Sequence, residues 1–167
     1  NATCCSSRLL YYLFLYLPTN SRHRKNKLLV IGHRGASGHF EENTIESIQK
    51  AVLMGADGVE FDVRPHESGI IALHDETVDR TTTGTGKLNC LSVTQLRTIE
   101  THNGESLPYL EDLLTAARFS KLINVEIKES SIGSVVAKAI ENFRITYQYD
   151  LKRFLLSSFE QPALRAI

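Results

Sequence analysis

The chain has little of what would settle its class at a glance. Its three cysteines, Cys4, Cys5 and Cys90, give neither a metal-ligand spacing nor a disulfide framework, and they fit a reducing compartment. Neither sign of charge is in excess: 19 Lys and Arg balance 19 Asp and Glu over 167 residues. That excludes the basic surplus expected of a nucleic-acid binder. The one dense basic cluster, Arg22-His23-Arg24-Lys25-Asn26-Lys27, reads as a solvated linker. The apolar run from Leu9 to Leu17, preceded by Arg8, holds nine residues, too few to span a bilayer, which takes about 20. It matches the apolar core of a signal peptide, the remnant of a membrane segment, or a disordered stretch. Pro18-Thr19-Asn20 supplies no small-residue cleavage site, which counts against the signal. Residues 1–27 are therefore set apart as a segment that gives a route to membrane association. A cytoplasmic or membrane-associated placement is favoured, with secretion open. The first residue is Asn1, not Met, so a fragment or a processed product is expected.

Hydrophobic residues make up 42% and charged residues 23% of the chain, an ordinary balance for a soluble globular protein. From Lys27 onward, strand-like runs alternate with helix-like ones. Leu28 to Ile31 reads as a short buried strand. Asn43 offers a helix N-cap with Glu46 three residues on, a capping-box arrangement. Ile45, Ile48 and Val52 follow at helical spacing, and Gly55 closes the helix. Gly58 to Val63 and Ile70 to Leu73 read as the second and third strands. The Gly/Thr/Asn-rich stretch from Thr81 to Glu105 holds one helical candidate, Ser92 to Ile99. It reads as an insertion over a site, spanning residues 76–105. Another helix starts near Pro108, with Leu110, Leu113, Leu114 and Ala117 on one face. Leu122 to Ile127 is a fourth strand. Val135, Val136, Ala139, Ile140 and Phe143 mark a further helix, Phe154 to Phe159 a fifth strand, and Gln161 the opening of a last helix. Continuous apolar strands alternating with helices predict an α/β domain over 28–167, with a parallel sheet and helices outside. One connection resists this. Six residues separate Val63 from Ile70, whereas a parallel crossover usually takes about a dozen or more; a hairpin and an extended return both fit.

The strands end in chemistry. Val30-Ile-Gly is followed by His33-Arg34-Gly35, Gly58-Val by Glu60-Phe-Asp62, and Ile70-Ile-Ala-Leu by His74-Asp75. Charged side chains are almost never fully buried unless paired, so several strands finishing this way suggest a site at the rim of a sheet. Glu60 and Asp62, two apart on a strand, point to one face. Such like charges need a cation between them, and an all-oxygen set favours Ca²⁺ or Mg²⁺. A solvated edge strand is the alternative. Glu126-Ile-Lys128 repeats the spacing, either as a salt-bridged pair or as a third carboxylate with its base. His33 and His74 at separate strand ends suit a general acid and base, which contribute roughly 10²–10⁴-fold; metal ligation by the two rings is the competing role. Arg34 is a planar cation suited to phosphate oxygens. His23, His39, His66 and His102 stand in polar stretches and read as surface residues.

Taken together, His33-Arg34-Gly35, Glu42-Asn43-Thr44, Glu60-x-Asp62, His74-Asp75, Arg80-Thr81-Thr82 and Glu126-x-Lys128 resemble the glycerophosphodiester phosphodiesterase family from Leu28 to about Phe159. The resemblance implies a (β/α)₈ barrel with its site at the C-terminal ends of the strands. It implies a Ca²⁺ or Mg²⁺ ion held by Glu60, Asp62 and Glu126, with His33 and His74 as acid and base. Arg34 and Lys128 would bind the phosphate, with Glu42, Asn43 and Asp75 in support. The substrate would be a small glycerophosphodiester, and the insertion after Asp75 would cap the site and help select the alcohol. Glu41 stands where the family usually has proline. The chain ends after about five of eight strands, short of the roughly 250 residues such a barrel takes, which predicts a fragment or a truncated product. A lysophospholipase D-type phosphodiesterase and a non-catalytic phosphate-binding module are the competing functions.

Overall fold

The computed structural model describes the backbone of residues 11–14 and residues 28–167. The basic cluster at Arg22–Lys27 and most of the Leu9–Leu17 run lie outside the described residues. Among the described residues no helix is long and apolar enough to cross a membrane.

The strands are β1 (Tyr11–Phe14), β2 (Ile31–Gly32), β3 (Gly58–His66), β4 (Gly69–Ala72), β5 (Leu122–Ile127) and β6 (Phe154–Ser158). The helices are α1 (Ile45–Leu53), α2 (Val93–Leu96), α3 (Leu110–Ala116), α4 (Gly133–Tyr147) and α5 (Gln161–Arg165). One sheet runs β1-β6-β5-β3-β2, with β4 paired to β3 off this path. β2, β3, β5 and β6 are mutually parallel, while β1 lies antiparallel on β6.

One expectation changes and one open connection is resolved. The first strand is reduced to Ile31–Gly32, because Leu28, Leu29 and Val30 are exposed and only Val30 bonds across, its carbonyl accepting from Asp57 and Gly58. The Val63–Ile70 connection is a hairpin: β3 continues to His66, β4 begins at Gly69, and the two pair antiparallel. With so little chain left between them, no return to the far end of β3 is available. Of the five strands anticipated, four therefore run parallel and the third runs back.

Alternation along the strands sorts the side chains. Val59, Phe61 and Val63 on β3 and Ile123, Val125 and Ile127 on β5 are fully buried in the main core. Ile48 of α1, Leu110, Leu113 and Leu114 of α3, and Val136, Ile140 and Phe143 of α4 close over them. Glu60, Asp62, Asn124 and Glu126 take the opposite face. A second cluster joins Ile71 and Leu73 to Val78, Leu88, Leu96, Ile99 and Leu107, so the 76–105 segment has an apolar core of its own. Its helix α2 opens on a capping box of Ser92 and Gln95.

The turn after β2 is under a specific steric constraint. Arg34 (φ 52°) and Gly35 (φ 80°) are consecutive left-handed residues, and the Ser47 hydroxyl donates to the Arg34 carbonyl at 2.9 Å. A Cβ on Gly35 would meet the Ser47 carbonyl carbon at 2.6 Å and the Ile48 nitrogen at 2.8 Å. Gly35→Ala must therefore push α1 away from the turn. A destabilisation of about 1–3 kcal/mol is expected by denaturant unfolding; an unchanged midpoint would mean that this packing does not restrain the turn.

Candidate active site

The parallel register assembles the centre of the site. Asp62 on β3 pairs with Glu126 on β5, and Glu60 precedes Asp62 by one pleat on the same face. The three carboxylates are all buried, and each offers an oxygen within 4.8 Å of the others. Lys128 Nζ lies 2.8 Å from Asp62 Oδ1 and donates to Glu126 Oε1. Arg34 Nε is 3.2 Å from Asp62 Oδ2. Asn43 completes the support: its Nδ2 donates to Asp62 Oδ2 and its Oδ1 accepts from the Asp62 amide, each at 3.0 Å.

Asn43 does this from a left-handed backbone (φ 57°), which corrects its expected role as the helix cap. Thr44 is the N-cap of α1 and its hydroxyl accepts from the Ser47 amide. Glu46 thus lies too early in the helix to close a box. Asn43 is free to serve Asp62 because its neighbour caps the helix.

Glu60 is the least satisfied member. Its Oε2 accepts from the Arg34 amide at 2.7 Å, but its buried Oε1 has no hydrogen-bond partner among the described residues. Burial first, then the charges of Asp62 and Glu126, push its carboxyl up to about 8 against the Arg34 hydrogen bond and the Lys128 charge. His33 Nε2 stands 3.9 Å from Glu60 Oε2, and its side chain is 67% exposed.

His74 lies beyond the end of β4. Its Nδ1 is 2.6 Å from Asp75 Oδ1, which leaves Nε2 without a partner from Asp75. Its carbonyl accepts from Arg64 Nε at 2.9 Å, and Arg64 Nη1 donates to Glu129 at 3.2 Å. Glu42 receives Arg34 Nη1 at 3.0 Å on Oε1. Burial would raise the Glu42 carboxyl, but hydrogen bonding from Arg80 and the charge of Arg34 hold it below its ordinary value.

The ten residues picked from the sequence thus lie in or beside one cluster, with His33 and His74 approaching from different loops. Lys128 is placed among the carboxylates it was expected to accompany. Sequence reasoning assigned no role to Arg64 or Arg80. Arg64 continues the alternation Glu60-x-Asp62-x-Arg64 on the same face, a signal that was there to be used. Arg80 stood in the sequence only within the Arg80-Thr81-Thr82 motif, and its polar loop gave no direction for the side chain. It donates Nη1 and Nη2 to Glu42 at 2.9 and 2.6 Å, and Nε to Asp75 at 2.6 Å.

Residues 33–167 match the model of the glycerophosphoryl diester phosphodiesterase family. The chain belongs to this family. It is 35% identical over 153 residues to a glycerophosphodiester phosphodiesterase of Caldanaerobacter subterraneus, covering 84% of this chain and 62% of that one. A 74-residue stretch, 44% of this chain and 22% of the other, is 45% identical to human glycerophosphodiester phosphodiesterase 1. Among solved structures, the glycerophosphodiester phosphodiesterase of Agrobacterium tumefaciens superposes with a TM-score of 0.72 at 26% identity, over 84% of this chain and 60% of that one. An Oleispira antarctica phosphodiesterase in complex with the product sn-glycerol-3-phosphate gives 0.72 and 26% over 83% and 60%. The chain thus spans about 60% of the length of the Caldanaerobacter, Agrobacterium and Oleispira proteins. Its parallel sheet corresponds to part of the glycerophosphodiester phosphodiesterase TIM barrel.

The carboxylate triad fits a divalent cation. An all-oxygen donor set, a buried Glu60 oxygen with no partner, and more negative charge than Lys128 and Arg34 can each satisfy alone are what such an ion requires. In the metal-free protein, Glu60 keeps its proton when folded and loses it when unfolded between pH 4.5 and about 8. The folded state then binds more protons, so stability falls as pH rises across that window. Thermal melts in EDTA should show this decline, Ca²⁺ or Mg²⁺ should reverse it, and Glu60→Gln should remove both the decline and the rescue. A flat profile with no metal effect would eliminate the cation site.

Proposed function

We propose that the protein hydrolyses glycerophosphodiesters to an alcohol and glycerol 3-phosphate, with Ca²⁺ or Mg²⁺ held by Glu60, Asp62 and Glu126. The observation that carries this reading is the buried carboxylate triad with His33 beside Glu60 and Arg34 on Asp62, to which His74 is connected through Asp75, Arg80, Glu42 and Arg34.

A cation bound there supplies positive charge against the phosphoryl oxygens, where charge builds up in the transition state. The remaining work belongs to side chains. Arg34, whose guanidinium is fixed between Asp62 and Glu42, has in-plane N–H donors suited to a phosphate oxygen. Lys128 supplies a second positive charge beside it. Diester hydrolysis requires one proton to leave the attacking oxygen and one to reach the departing alkoxide. His33, largely exposed beside Glu60, and His74, with Nε2 left free by the Asp75 contact, are the two groups suited to those tasks. The molecule also contains a cavity of about 470 Å³ next to Lys128, lined by Arg64, Glu76, Lys87 and Glu129 among others, with Pro65 and Leu88 its only apolar members among the described residues. A long acyl chain would gain little there, so a small polar alcohol is favoured over a lysophospholipid.

Glycerophosphocholine should therefore be turned over well ahead of lysophosphatidylcholine, and the reverse preference would point to a lysophospholipase D. On glycerophosphocholine, His33→Ala and His74→Ala should each cost about 10²–10⁴-fold in kcat. On a p-nitrophenyl diester, whose leaving group needs no proton, the variant lacking the acid should recover most of its rate and the variant lacking the base should not. Equal losses on both substrates would refute the division of labour, and absence of turnover in the unaltered protein would leave a phosphate-binding module.

The 76–105 segment is assigned to choice of alcohol, because Glu76 and Lys87 carry it to the wall of the cavity. Lys87→Ser should change the relative rates on glycerophosphodiesters with different head groups by about threefold or more while sparing the p-nitrophenyl diester. A uniform loss on every substrate would count against that assignment.

A further inference from the structure

We propose that Arg80 is a positioning residue that places the proton of neutral His74 on Nδ1, by clamping the Asp75 carboxylate against Glu42. Two edges of one guanidinium are used. Nε donates to Asp75 Oδ2 at 2.6 Å, while Nη1 and Nη2 take both oxygens of Glu42 at 2.9 and 2.6 Å. The planar fork makes this a fixed angle, which a lysine could not reproduce. The other Asp75 oxygen, Oδ1, faces His74 Nδ1 at 2.6 Å. An ionised carboxylate only accepts, so the imidazole must donate there, and Nε2 is left as the lone-pair nitrogen.

Burial does not hold Asp75 in place, since its side chain is 30% exposed and that of Arg80 48%. A carboxylate this open is free to turn toward water unless something restrains it. The restraint runs through Glu42, which also receives Arg34 Nη1, and Arg34 contacts Asp62. His74 is thereby connected to the carboxylate triad through Asp75, Arg80, Glu42 and Arg34. The backbone of Arg80 is held in turn, with the Thr82 hydroxyl donating to the Val78 carbonyl at 2.7 Å and His102 Nε2 3.2 Å from the Arg80 carbonyl. Arg80 belongs to the 76–105 segment, so this segment reaches the acid–base machinery as well as the cavity wall. Arg80's hydrogen bond is also the largest of the effects that hold the Asp75 carboxyl down at about 2, which keeps it an acceptor across the working range of pH.

The value of this placement to catalysis rests on the role given to His74 above; the placement of the proton does not. The two are separated by reading the imidazole directly. In the ¹⁵N-labelled full chain at alkaline pH, side-chain nitrogen shifts should report His74 as the Nδ1–H tautomer. In Arg80→Met the signal should move toward the Nε2–H tautomer that an unrestrained imidazole prefers in water, and in Arg80→Lys it should fall between. The His33 signals serve as the control for the fold, and if they change in Arg80→Met the decision passes to Arg80→Lys. A His74 that stays Nδ1–H in the folded variant would overturn the proposal. Turnover of glycerophosphocholine is the second readout. Arg80→Met should lower kcat about tenfold or more with little change in KM, and should add nothing further in an Asp75→Asn background. A full additional loss in that background would mean that Arg80 acts by another route. A tautomer that responds to Arg80 in a protein without any turnover would retain the positioning role and reject the enzymatic one.

Discussion

Three carboxylates on the inner face of a parallel sheet impose a requirement that the rest of the molecule meets. Buried like charges repel strongly where water is excluded, and each must be offset by a cation or a proton. Lys128 and Arg34 supply part of the positive charge, Asn43 ties down Asp62, and Glu60 is left with a protonated carboxyl in the absence of more. The backbone turn at Arg34–Gly35, the left-handed Asn43 and the cap shifted to Thr44 are the local distortions that bring those compensating groups to the strand ends. Strain of this kind persists where surrounding packing over-determines it. Here α1 packs against the turn closely enough to exclude a Cβ at Gly35.

Around this centre the charges form a connected set. Asp62, Arg34, Glu42, Arg80, Asp75 and His74 follow one another through contacts of 2.6 to 3.2 Å. Exposed ion pairs contribute little to stability singly. Their effect in this protein is geometric: each planar guanidinium fixes the direction of the carboxylates on either side. The cost of the buried acids is thereby tied to orientation of the groups that would handle phosphate and protons.

The same division runs through the fold. The main core lies between the sheet and α1, α3 and α4, and the smaller cluster under residues 76–105 is built on Ile71 and Leu73. Two separate apolar clusters let the loop segment hold its shape without borrowing from the barrel core. Membership of the glycerophosphoryl diester phosphodiesterase family accounts for the parallel sheet.

The sequence by itself determined the order of the elements and the composition of the cluster. β5 was legible residue for residue, because Leu122 to Ile127 is a continuous apolar run broken only by the groups of the inner face. Glu60 and Asp62 could be placed on one face from spacing alone, since side-chain direction along a strand alternates with period two, whereas Glu126 had two readings until the β3–β5 register set it opposite Asp62. Tertiary structure decided what spacing does not encode. Leu28 to Val30 look like a strand but find little to pair with, and the direction of Ile70 to Leu73, left open by the short connection before it, is settled as antiparallel, since strand direction depends on partners and not on composition. Asn43 and Glu46 satisfy the pattern of a capping box, yet Asn43 turns to Asp62 because a buried carboxylate outweighs a helix end that Thr44 can cap equally well. Arg80 was legible as a member of the Arg80-Thr81-Thr82 motif, but its contacts were not. A polar loop has no periodicity from which a direction can be read, and its contacts with Glu42 and Asp75 exist only because three loops close over one another at the rim of the sheet.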